Sequence, residues 1–260
     1  MKYYVVTDVH GFYTELVAAL TEKGFFEDRE PHKLVVCGDL FDRGRETLKM
    51  QAFIVDLLEK DEVILIRGNH EDLAVEFIEN IRCWMTPKVL SSHHWNNGTI
   101  LSMLDLAGME LGDAYQAPNE CAKRVQRSPF FQTILPAMGN YFETEHYIFV
   151  HGWIPCHALG PLGRADSFHY KSGWRGATAA EWGQARWYNG MVAAIQDVTE
   201  PGKTIICGHR SASYGHAYIE GKGSYHGDDA DYSPFYAKGI IALDTCTAAS
   251  GKVNCIVLED

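Results

Sequence analysis

Three separated segments of this chain carry carboxylate, imidazole and amide side chains directly after short apolar runs. They are Asp8-Val9-His10-Gly11, Gly38-Asp39-Leu40-Phe41-Asp42-Arg43-Gly44 and Arg67-Gly68-Asn69-His70-Glu71. The preceding runs, Val5-Val6, Leu34-Val35-Val36 and Val63-Ile64-Leu65-Ile66, are typical of buried parallel strands. Ligands bind at the carboxyl ends of such strands in open α/β sheets, so these polar side chains are predicted to meet at one edge.

Two histidines follow later apolar runs in the same way. His151 comes after the predicted strand 147–150, and His209 comes after the predicted strand 204–207 and Gly208. A mixture of carboxylate, amide oxygen and imidazole without thiolate suits Mn²⁺, Fe or Zn²⁺ better than Ca²⁺ or copper. The five segments together therefore indicate a site for two divalent metal ions acting on phosphate esters, with Mn²⁺, Fe and Zn²⁺ as the candidates.

The elements that must position these residues alternate along the first 80 residues. Helical periodicity in Leu16/Val17/Leu20, in Phe53/Ile54/Leu57/Leu58 and in Leu73/Phe77/Ile81 places one helix after each strand. This part of the chain is therefore predicted to be βαβαβα. The fold class is α/β.

The rest of the chain is predicted to contain a helical insertion and further strands. Residues 84–146 lack strand signals and hold the predicted helices Thr99–Ala107 and Glu120–Leu135, so we interpret them as a cap over the site. The strands Gly239–Leu243 and Val253–Leu258 are predicted to form an antiparallel tail through a turn at Ser250-Gly251. Residues 210–238 are predicted to form a long loop near the site. No linker-like stretch divides residues 1–260, so one domain is expected.

Composition excludes several classes of protein. Hydrophobic residues make up 46% and charged residues 22% of the chain, and no window approaches the roughly 20 apolar residues of a membrane span. The first residues lead directly into the predicted strand before Asp8, so a cleavable secretory segment is not expected. We therefore expect a cytoplasmic location. The seven cysteines form no CxxC pair, which argues against a disulfide framework. A net charge of -11 argues against stable binding of duplex nucleic acid.

The five polar segments resemble the motifs of one family. In order and spacing, residues 7–11, 38–44, 68–71, 151 and 208–209 are similar to the GDxHG, GDxxDRG, GNHE, strand-end His and GH motifs of the phosphoprotein phosphatase (serine/threonine phosphatase) branch of the calcineurin-like metallophosphoesterases. The resemblance covers nearly the whole chain, and the small size of the chain is similar to that of the bacterial and phage members. It implies a central β-sandwich of mixed sheets flanked by helices, with a helical cap insertion.

The resemblance also implies a ligand set for the two ions. It places Asp39 between the ions, with Asp8 and His10 completing the first and three further ligands on the second, Asn69, His151 and His209. A carboxylate shared by two ions about 3.5–4 Å apart also fixes a bridging water and lowers its pKa from 15.7 towards about 7. The hydroxide so formed is the expected nucleophile.

Catalytic and phosphate-binding roles are implied for five more residues. His70 is expected to act as general acid, with Asp42 orienting it, while Arg43 and Arg67 hold the phosphoryl oxygens as bidentate clamps. Arg186 is the preferred candidate for a third clamp by its position. Its alternatives are Arg164, Arg175 and Arg210. The other histidines, His93 and His94 among them, are assigned no role.

Three positions depart from the family pattern. Arg45, Trp153 and Arg210 stand where Pro, a small residue and Thr or Gln are usual, and all three are expected to face the pocket. A bulky Trp and an added cation would narrow the entrance or favour a more anionic ester. The departures therefore concern the substrate rather than the chemistry.

The predicted function is hydrolysis of phosphomonoesters, with a phosphorylated Ser or Thr side chain of a protein as the preferred substrate. The alternative on the same site is a diadenosine polyphosphate pyrophosphohydrolase or a nucleotide phosphodiesterase, for which Trp95 and Arg124 would line one groove. Trp84 is a further candidate for stacking on a base. The alternative from another class is a noncatalytic metal-binding regulator that contacts a partner protein through residues 84–146. Such a scaffold has no use for His70, Asp42 or the clamp arginines.

Overall fold

Three parallel strands, each followed by a helix, form the first half of the protein. The computed structural model describes residues 1–160 and 167–260. Its first elements are β1 (Lys2–Val6), α1 (Tyr13–Glu22), β2 (His32–Cys37), α2 (Thr47–Glu59), β3 (Val63–Ile66) and α3 (Asn69–Glu79). The register pairs Val6 with Val36 and Cys37 with Ile66, so the three strands end level. This register brings the three polar segments to one edge.

A run of short helices then covers one side of this half. It contains α4 (Ile81–Trp84), a 3₁₀ turn at Val89–Ser91, α5 (His93–Asn96), α6 (Thr99–Ala107), α7 (Leu111–Gln116), α8 (Pro118–Gln126), a π-helical stretch at Phe130–Ile134 and α9 (Leu135–Ala137). α6 packs on α2 and α3, and its buried side chains join the apolar cluster that covers the outer face of the first sheet. The prediction of a helix at 99–107 is confirmed.

The second half builds a five-stranded sheet. Its elements are β4 (Phe142–Glu143), β5 (Tyr147–Phe149), β6 (His157–Leu159), β7 (Ser167–His169), a 3₁₀ turn at Trp174–Gly176, α10 (Ala179–Ala185), α11 (Gly190–Ile195), β8 (Thr204–Cys207), a π-helical stretch at Gly215–Ile219, β9 (Phe235–Ala237), β10 (Ile240–Ala242), α12 (Thr247–Ser250) and β11 (Ile256–Glu259). The strand order is β4-β5-β8-β10-β9, with β5, β8 and β10 parallel and an antiparallel strand at each edge. β6 and β7 form a separate two-stranded antiparallel sheet.

The two sheets pack face to face through an apolar layer. The first sheet contributes Val5, Val35 and Ile66 to this layer, and the second contributes Phe149 and Ile206, all essentially buried. α10 and α11 cover the outer face of the second sheet with a separate apolar cluster. Burial of such strands on both faces explains their continuous apolar runs. The predicted α/β class, a sandwich of mixed sheets flanked by helices, is confirmed.

The prediction of an antiparallel tail is wrong. β10 lies in the second sheet between β8 and β9, whereas β11 crosses to the edge of the first sheet and pairs with β1, opposing Leu258 to Tyr3. The Ser250-Gly251 signal ends α12 instead of turning a hairpin, because Gly251 adopts the left-handed conformation (φ +63°) that terminates helices. An apolar pattern predicts a strand but not its partner.

The predicted helix Glu120–Leu135 is also wrong in its bounds. α8 begins earlier, with Pro118 at its first turn, and ends at Gln126. Pro129 then precedes the π-helical stretch, and the residue before a proline is disfavoured in helical conformation. Residues 84–146 also contain the short strand β4 at their end. Their role as a cap stays a prediction.

None of the helices in the described ranges combines the length and the apolarity that a membrane-spanning segment requires.

Candidate metal centre and catalytic site

The polar segments leave their strands in an unusual backbone conformation. Asp8, His10, Asp39 and His209 all have positive φ angles, of +51°, +46°, +57° and +64°. Non-glycine residues in the left-handed region cost on the order of 1–3 kcal/mol each and persist where the surrounding structure holds them, most often at functional sites. The sharp turns aim successive polar side chains back into one space at the strand ends.

Asp39 lies at the centre of this space. Its Oδ2 is 3.6 Å from His10 Nε2 and 3.9 Å from His70 Nε2, and its Oδ1 is 3.5 Å from His151 Nε2. Two groups of potential ligand atoms, one of His10, Asp39 and His70 and one of Asp8, Asp39 and His151, each lie within 4.8 Å of one another. Asp39 belongs to both groups, which is the position that a bridging carboxylate needs.

The remaining predicted ligands join the same cluster. Asn69 Oδ1 is 2.7 Å from His151 Nε2 and 2.9 Å from His209 Nδ1. The His209 backbone N–H donates to the Asp8 carboxylate at 2.9 Å. The structure thus brings together all six residues that the sequence nominated as ligands, and the side chains of the four that follow β1, β2 and β5 are at most 2% exposed. Their assignment to individual ions stays a prediction.

Backbone carbonyl groups hold the rings of two predicted ligands, His10 and His151, in a fixed orientation. His10 Nδ1 donates to the Phe41 carbonyl oxygen at 3.0 Å, and His151 Nδ1 donates to the Cys37 carbonyl oxygen at 2.8 Å. A carbonyl can only accept, so each ring carries its proton on Nδ1 and turns the lone pair of Nε2 towards Asp39. This is the backing that histidine ligands of metals usually have.

The environment of these groups fits a cation. His10 Nε2 and His209 Nε2 are buried with no hydrogen-bond partner. Burial lowers the pKa of both imidazoles well below the usual range, so they stay neutral, which is the form that binds metal. Burial also raises the pKa of Asp8 well above its usual range, helped by the nearby charges of Asp244 and Asp39. A positive ion would relieve this unfavourable burial of acidic groups.

Asp39 itself differs from Asp8. Burial favours its neutral form, but interactions with its histidine neighbours, among them His70 with its raised pKa, and the hydrogen bond from the His70 backbone N–H outweigh burial and lower the pKa of Asp39 below the usual range. Asp39 is therefore ionised at neutral pH before any metal binds. Its charge makes it the strongest single attraction for a cation in the cluster.

Three glycines let the segments approach one another. A Cβ on Gly38 would lie 2.6 Å from His151 Nδ1, and one on Gly68 or Gly208 would collide with the carboxylate of Asp39 or Asp8. The ligand cluster therefore depends on glycine at these positions for space rather than for backbone freedom alone.

Gly68→Ala is expected to destabilise the protein by about 1–3 kcal/mol, because the added methyl group overlaps Asp39 and overpacked interiors typically cost this much. Urea unfolding measures the loss. The control is Gly112→Ala in α7, where nothing lies within 4 Å of the new Cβ, and it should be neutral or stabilising by up to about 1 kcal/mol. Equal midpoints for the two variants would contradict the close approach.

The predicted general acid lies beside the cluster on α3. His70 Nδ1 is 2.7 Å from Asp42 Oδ2, and Arg43 Nη2 is 3.3 Å from His70 Nε2. Burial would lower the pKa of His70, but Asp39 and Asp42 outweigh it and raise that pKa. His70 is thus held ready to carry a proton. The pairing of His70 with Asp42 has the predicted geometry.

Sequence reasoning missed the residues that hold Asp42. The Thr99 hydroxyl donates to Asp42 Oδ2 at 2.6 Å, and the Asp42 backbone N–H donates to Ser102 Oγ at 2.9 Å. Both come from α6, nearly 60 residues later in the chain. The Thr99 that follows Gly98 was visible in the sequence, but nothing local connects it with Asp42. The helical insertion thus supports the catalytic pair directly.

Glu71 was also missed, although it ends one of the motifs. Its buried carboxylate accepts backbone N–H groups of Asp39, Leu40 and Gly68 at 2.7–3.0 Å. Burial, together with the charge of Asp39, raises its pKa to about 7, and the three amides oppose the rise. Glu71 therefore ties the turn after β2 to the turn after β3.

The arginines considered as phosphate clamps differ in position. Arg186 donates to Asp72 Oδ2 at 2.8 Å, and Arg67 Nε lies 2.7 Å from Asp72 Oδ1, so one carboxylate holds both guanidinium groups. Arg175 instead pairs with Glu143 and Glu200 at the surface. Arg164 lies outside the described residues. The geometry thus sets Arg186 beside Arg67, while their role as clamps stays a prediction.

Other predicted pocket residues lie elsewhere. Trp153 is wrong as an entrance residue, because its side chain is buried in the second apolar cluster and its indole N–H donates to the Val198 carbonyl. Trp95 packs against the first cluster, while Arg124 is held by Glu120 one turn earlier on α8. The indole ring of Trp187, which the sequence did not nominate, lies 5.6 Å from the ring of the predicted ligand His209.

Comparison with known proteins agrees with this geometry. A family model described as calcineurin-like phosphoesterase matches residues 1–241. The asymmetrical bis(5'-nucleosyl)-tetraphosphatase of Bacillus velezensis is 34% identical over 76 residues, which are 27% of this chain and 30% of that protein. The symmetrical bis(5'-nucleosyl)-tetraphosphatase of Buchnera aphidicola is 38% identical over 71 residues, 27% of this chain and 24% of that protein. The chain thus matches less than a third of these relatives.

A solved structure shows the same fold over a longer stretch. The cold-active protein-tyrosine phosphatase of a psychrophilic Shewanella species is 17% identical, with a TM-score of 0.50 over 100% of this chain and 75% of that chain. The match of the family model to nearly the whole chain is the stronger finding. This protein belongs to the calcineurin-like phosphoesterase family.

Proposed function

We propose that this protein is a metal-dependent hydrolase of phosphoric esters that uses two divalent ions, with Mn²⁺ preferred. The observation that supports the proposal most strongly is the buried cluster of Asp8, His10, Asp39, Asn69, His151 and His209 with the His70–Asp42 pair at its side. A purely structural metal site would need the six ligands but not the His70–Asp42 pair. The two together supply what hydrolysis at phosphorus requires.

The bound ions would supply a nucleophile derived from water at neutral pH and would withdraw charge from the phosphoryl oxygens. Two carboxylates, one amide oxygen and three imidazoles would hold them. Asp39 would contribute to both ions, because its two oxygens face different histidines, His10 through Oδ2 and His151 through Oδ1. Glu71 keeps this turn rigid by accepting the Asp39 backbone N–H.

His70 delivers a proton to the departing oxygen. Asp42 fixes the ring by accepting from Nδ1, so the proton that is transferred leaves from Nε2, the nitrogen that faces Asp39 and Arg43. Thr99 and Ser102 keep Asp42 in place. Positioned acids of this kind contribute about 10²–10⁴-fold to rate.

Arg43, Arg67 and Arg186 bind the phosphoryl oxygens. Arg43 extends from the exposed turn beside His70, whereas Arg67 and Arg186 are held side by side by Asp72. Planar guanidinium groups can each give two parallel hydrogen bonds to phosphate, so they orient the ester as well as neutralise it. Orientation by groups already in place lowers the entropy cost of the reaction.

Protein phosphoserine and phosphothreonine remain the substrates that the sequence predicts. A second candidate, a dinucleoside polyphosphate, is favoured by the similarity to the two bis(5'-nucleosyl)-tetraphosphatases and by the rim beside His209. Arg210 follows His209 directly and hydrogen-bonds the Tyr225 side chain. Tyr214 and Tyr218 pack against Tyr225 with ring centroids 5.5 and 5.9 Å away. A cation beside aromatic rings suits a second phosphate followed by a base.

The substrate class is tested with the Mn²⁺-loaded protein on phosphoserine, phosphothreonine and phosphotyrosine peptides, diadenosine tetraphosphate, 2′,3′-cyclic nucleotides and p-nitrophenyl phosphate. Metal removal should abolish all activity, and Mn²⁺ should restore it. A protein shown by analysis to be loaded with metal, yet inert towards every one of these compounds, would overturn the proposed function. The compound with the highest kcat/KM identifies the class.

Tyr218→Ala is expected to lower kcat/KM for diadenosine tetraphosphate by about 10-fold, because stacking of one base contributes roughly 1–3 kcal/mol. Hydrolysis of p-nitrophenyl phosphate, which has no base, should stay unchanged. Tyr236→Ala on the edge strand β9 is the matched control, since Tyr218 and Tyr236 are similarly exposed, at 66% and 57%. Equal kcat/KM for the dinucleotide in both variants would remove the stacking role.

A further inference from the structure

A second group of metal-binding side chains lies outside the proposed catalytic centre. It consists of Glu76 on α3 and the adjacent His93 and His94 on α5. Glu76 Oε2 is 3.9 Å from His93 Nε2 and 3.7 Å from His94 Nε2. The ligand atoms of the three residues all lie within 4.8 Å of one another.

His94 is the unusual member of this group. Its side chain is fully buried at 0% exposure, yet neither ring nitrogen has a hydrogen-bond partner. Its ring lies between apolar neighbours, with the Phe77 centroid at 5.3 Å and the Trp84 centroid at 4.5 Å. Burying a polar ring without partners is costly, so native structures rarely contain one without a reason.

The nearest carboxylate does not satisfy the His94 ring. Glu76 Oε2 lies 3.7 Å from His94 Nε2, which is too far for a hydrogen bond. An imidazole nitrogen without a protein partner can instead direct a lone pair at a metal ion.

The three side chains lie slightly further apart than the ligands of a bound zinc ion. In a tetrahedral Zn²⁺ site, bonds of about 2.0–2.2 Å place neighbouring ligand atoms roughly 3.4 Å apart. The observed separations of 3.7 and 3.9 Å would close to that value with shifts of about half an ångström. His93 and Glu76 are half exposed, at 48% and 46%, which leaves a path for the ion from solvent and room for water as the fourth ligand. Two imidazoles and one carboxylate suit Zn²⁺.

We propose that Glu76, His93 and His94 form a second, separate Zn²⁺ site that fastens α5 to α3. A bound ion would give the unpartnered His94 ring a coordination partner and would neutralise the charge of Glu76. α3 carries Asn69 and His70 in its first turn, and Glu76 lies about two turns further along the same helix. A bound ion would thus hold the start of the helical insertion against the helix that carries the proposed acid.

The test is the number of Zn²⁺ ions bound by the full chain, measured by equilibrium dialysis and metal analysis. His93→Gln and Glu76→Gln should each bind one equivalent fewer than the wild-type protein, whatever the catalytic centre holds. Loss of a ligand should weaken the site by at least about 10–100-fold, the range already seen for changes in the outer shell of metal sites. Glu79→Gln on the same helix and His169→Gln on β7, both exposed, are the matched controls and should keep the wild-type count.

A second measurement separates binding from simple damage to the fold. Zn²⁺ should raise the Tm of the wild-type protein more than that of His93→Gln or Glu76→Gln, while their Tm values without metal stay close to wild type because both changed side chains are half exposed. Mn²⁺-supported hydrolysis of p-nitrophenyl phosphate checks that the other centre is intact. Equal Zn²⁺ counts and equal Tm shifts in wild type, the two variants and the two controls would overturn the proposal.

Discussion

Asp39→Asn is expected to remove both metal ions and to abolish turnover of every substrate. The substituted side chain keeps its shape but loses the charge that His10, His70 and His151 face at 3.5–3.9 Å. Because Asp39 alone belongs to both groups of potential ligands among the described residues, no neighbouring carboxylate can replace it for both ions. We expect kcat for p-nitrophenyl phosphate to fall by at least about 10³-fold, or roughly 4 kcal/mol in activation free energy.

Metal analysis after dialysis against Mn²⁺ is the decisive measurement for this variant. Asp56→Asn on α2 is the matched control, since it removes a carboxylate that pairs with Lys60 at the surface, and it should keep both ions and full activity. If Asp39→Asn kept the wild-type metal content, Asp39 would not be the bridging ligand. If it lost one ion and kept activity, the proposed two-ion mechanism would be wrong.

His70→Asn is expected to keep both metal ions and to slow substrates unequally. An ester with an alkyl leaving group, such as phosphoserine, needs a proton on the departing oxygen, whereas p-nitrophenolate leaves without one. We expect a loss of about 10²–10⁴-fold in kcat for phosphoserine and a much smaller loss for p-nitrophenyl phosphate. Steady-state kinetics with a series of leaving groups of increasing pKa measures the difference.

The control for this prediction is His157→Asn. His157 is an exposed histidine on β6, and its replacement should leave kcat for both esters unchanged. Equal losses for both esters in His70→Asn would assign His70 to phosphate binding or to metal positioning rather than to acid catalysis. The same experiment tests the alternative of a noncatalytic metal-binding regulator, because a regulator would hydrolyse neither ester before or after the change.

Local sequence was sufficient to predict the ligand-bearing segments. Asp8, Asp39 and Asn69 each follow an apolar run that forms a buried strand, and the level ends of parallel strands bring them together without further information. The histidines after β5 and β8 follow the same rule from the second sheet. Strand β8, at Thr204–Cys207, has the predicted bounds because an isolated apolar run buried on both faces has no competing structure.

Contacts between distant parts of the chain could not be predicted in the same way. Asp42 and Thr99 are 57 residues apart, and Asp72 and Arg186 are 114 apart, yet each pair forms a short hydrogen bond. Nothing in the composition near Arg186 distinguishes it from Arg175, which the fold places instead between Glu143 and Glu200. Nothing in the sequence distinguishes His94 from the other histidines, and its burial results from tertiary packing against Phe77 and Trp84.

The sequence by itself determined which residues could bind metal and that most of them stand at strand ends. Only the tertiary structure decided that β10 and β11 belong to different sheets and that α6 hydrogen-bonds Asp42. It also decided that Glu76 lies beside His93 and His94. The physical reason is that periodicity and turn chemistry act within a few residues, whereas the choice of partners depends on which apolar faces the whole chain can bury together.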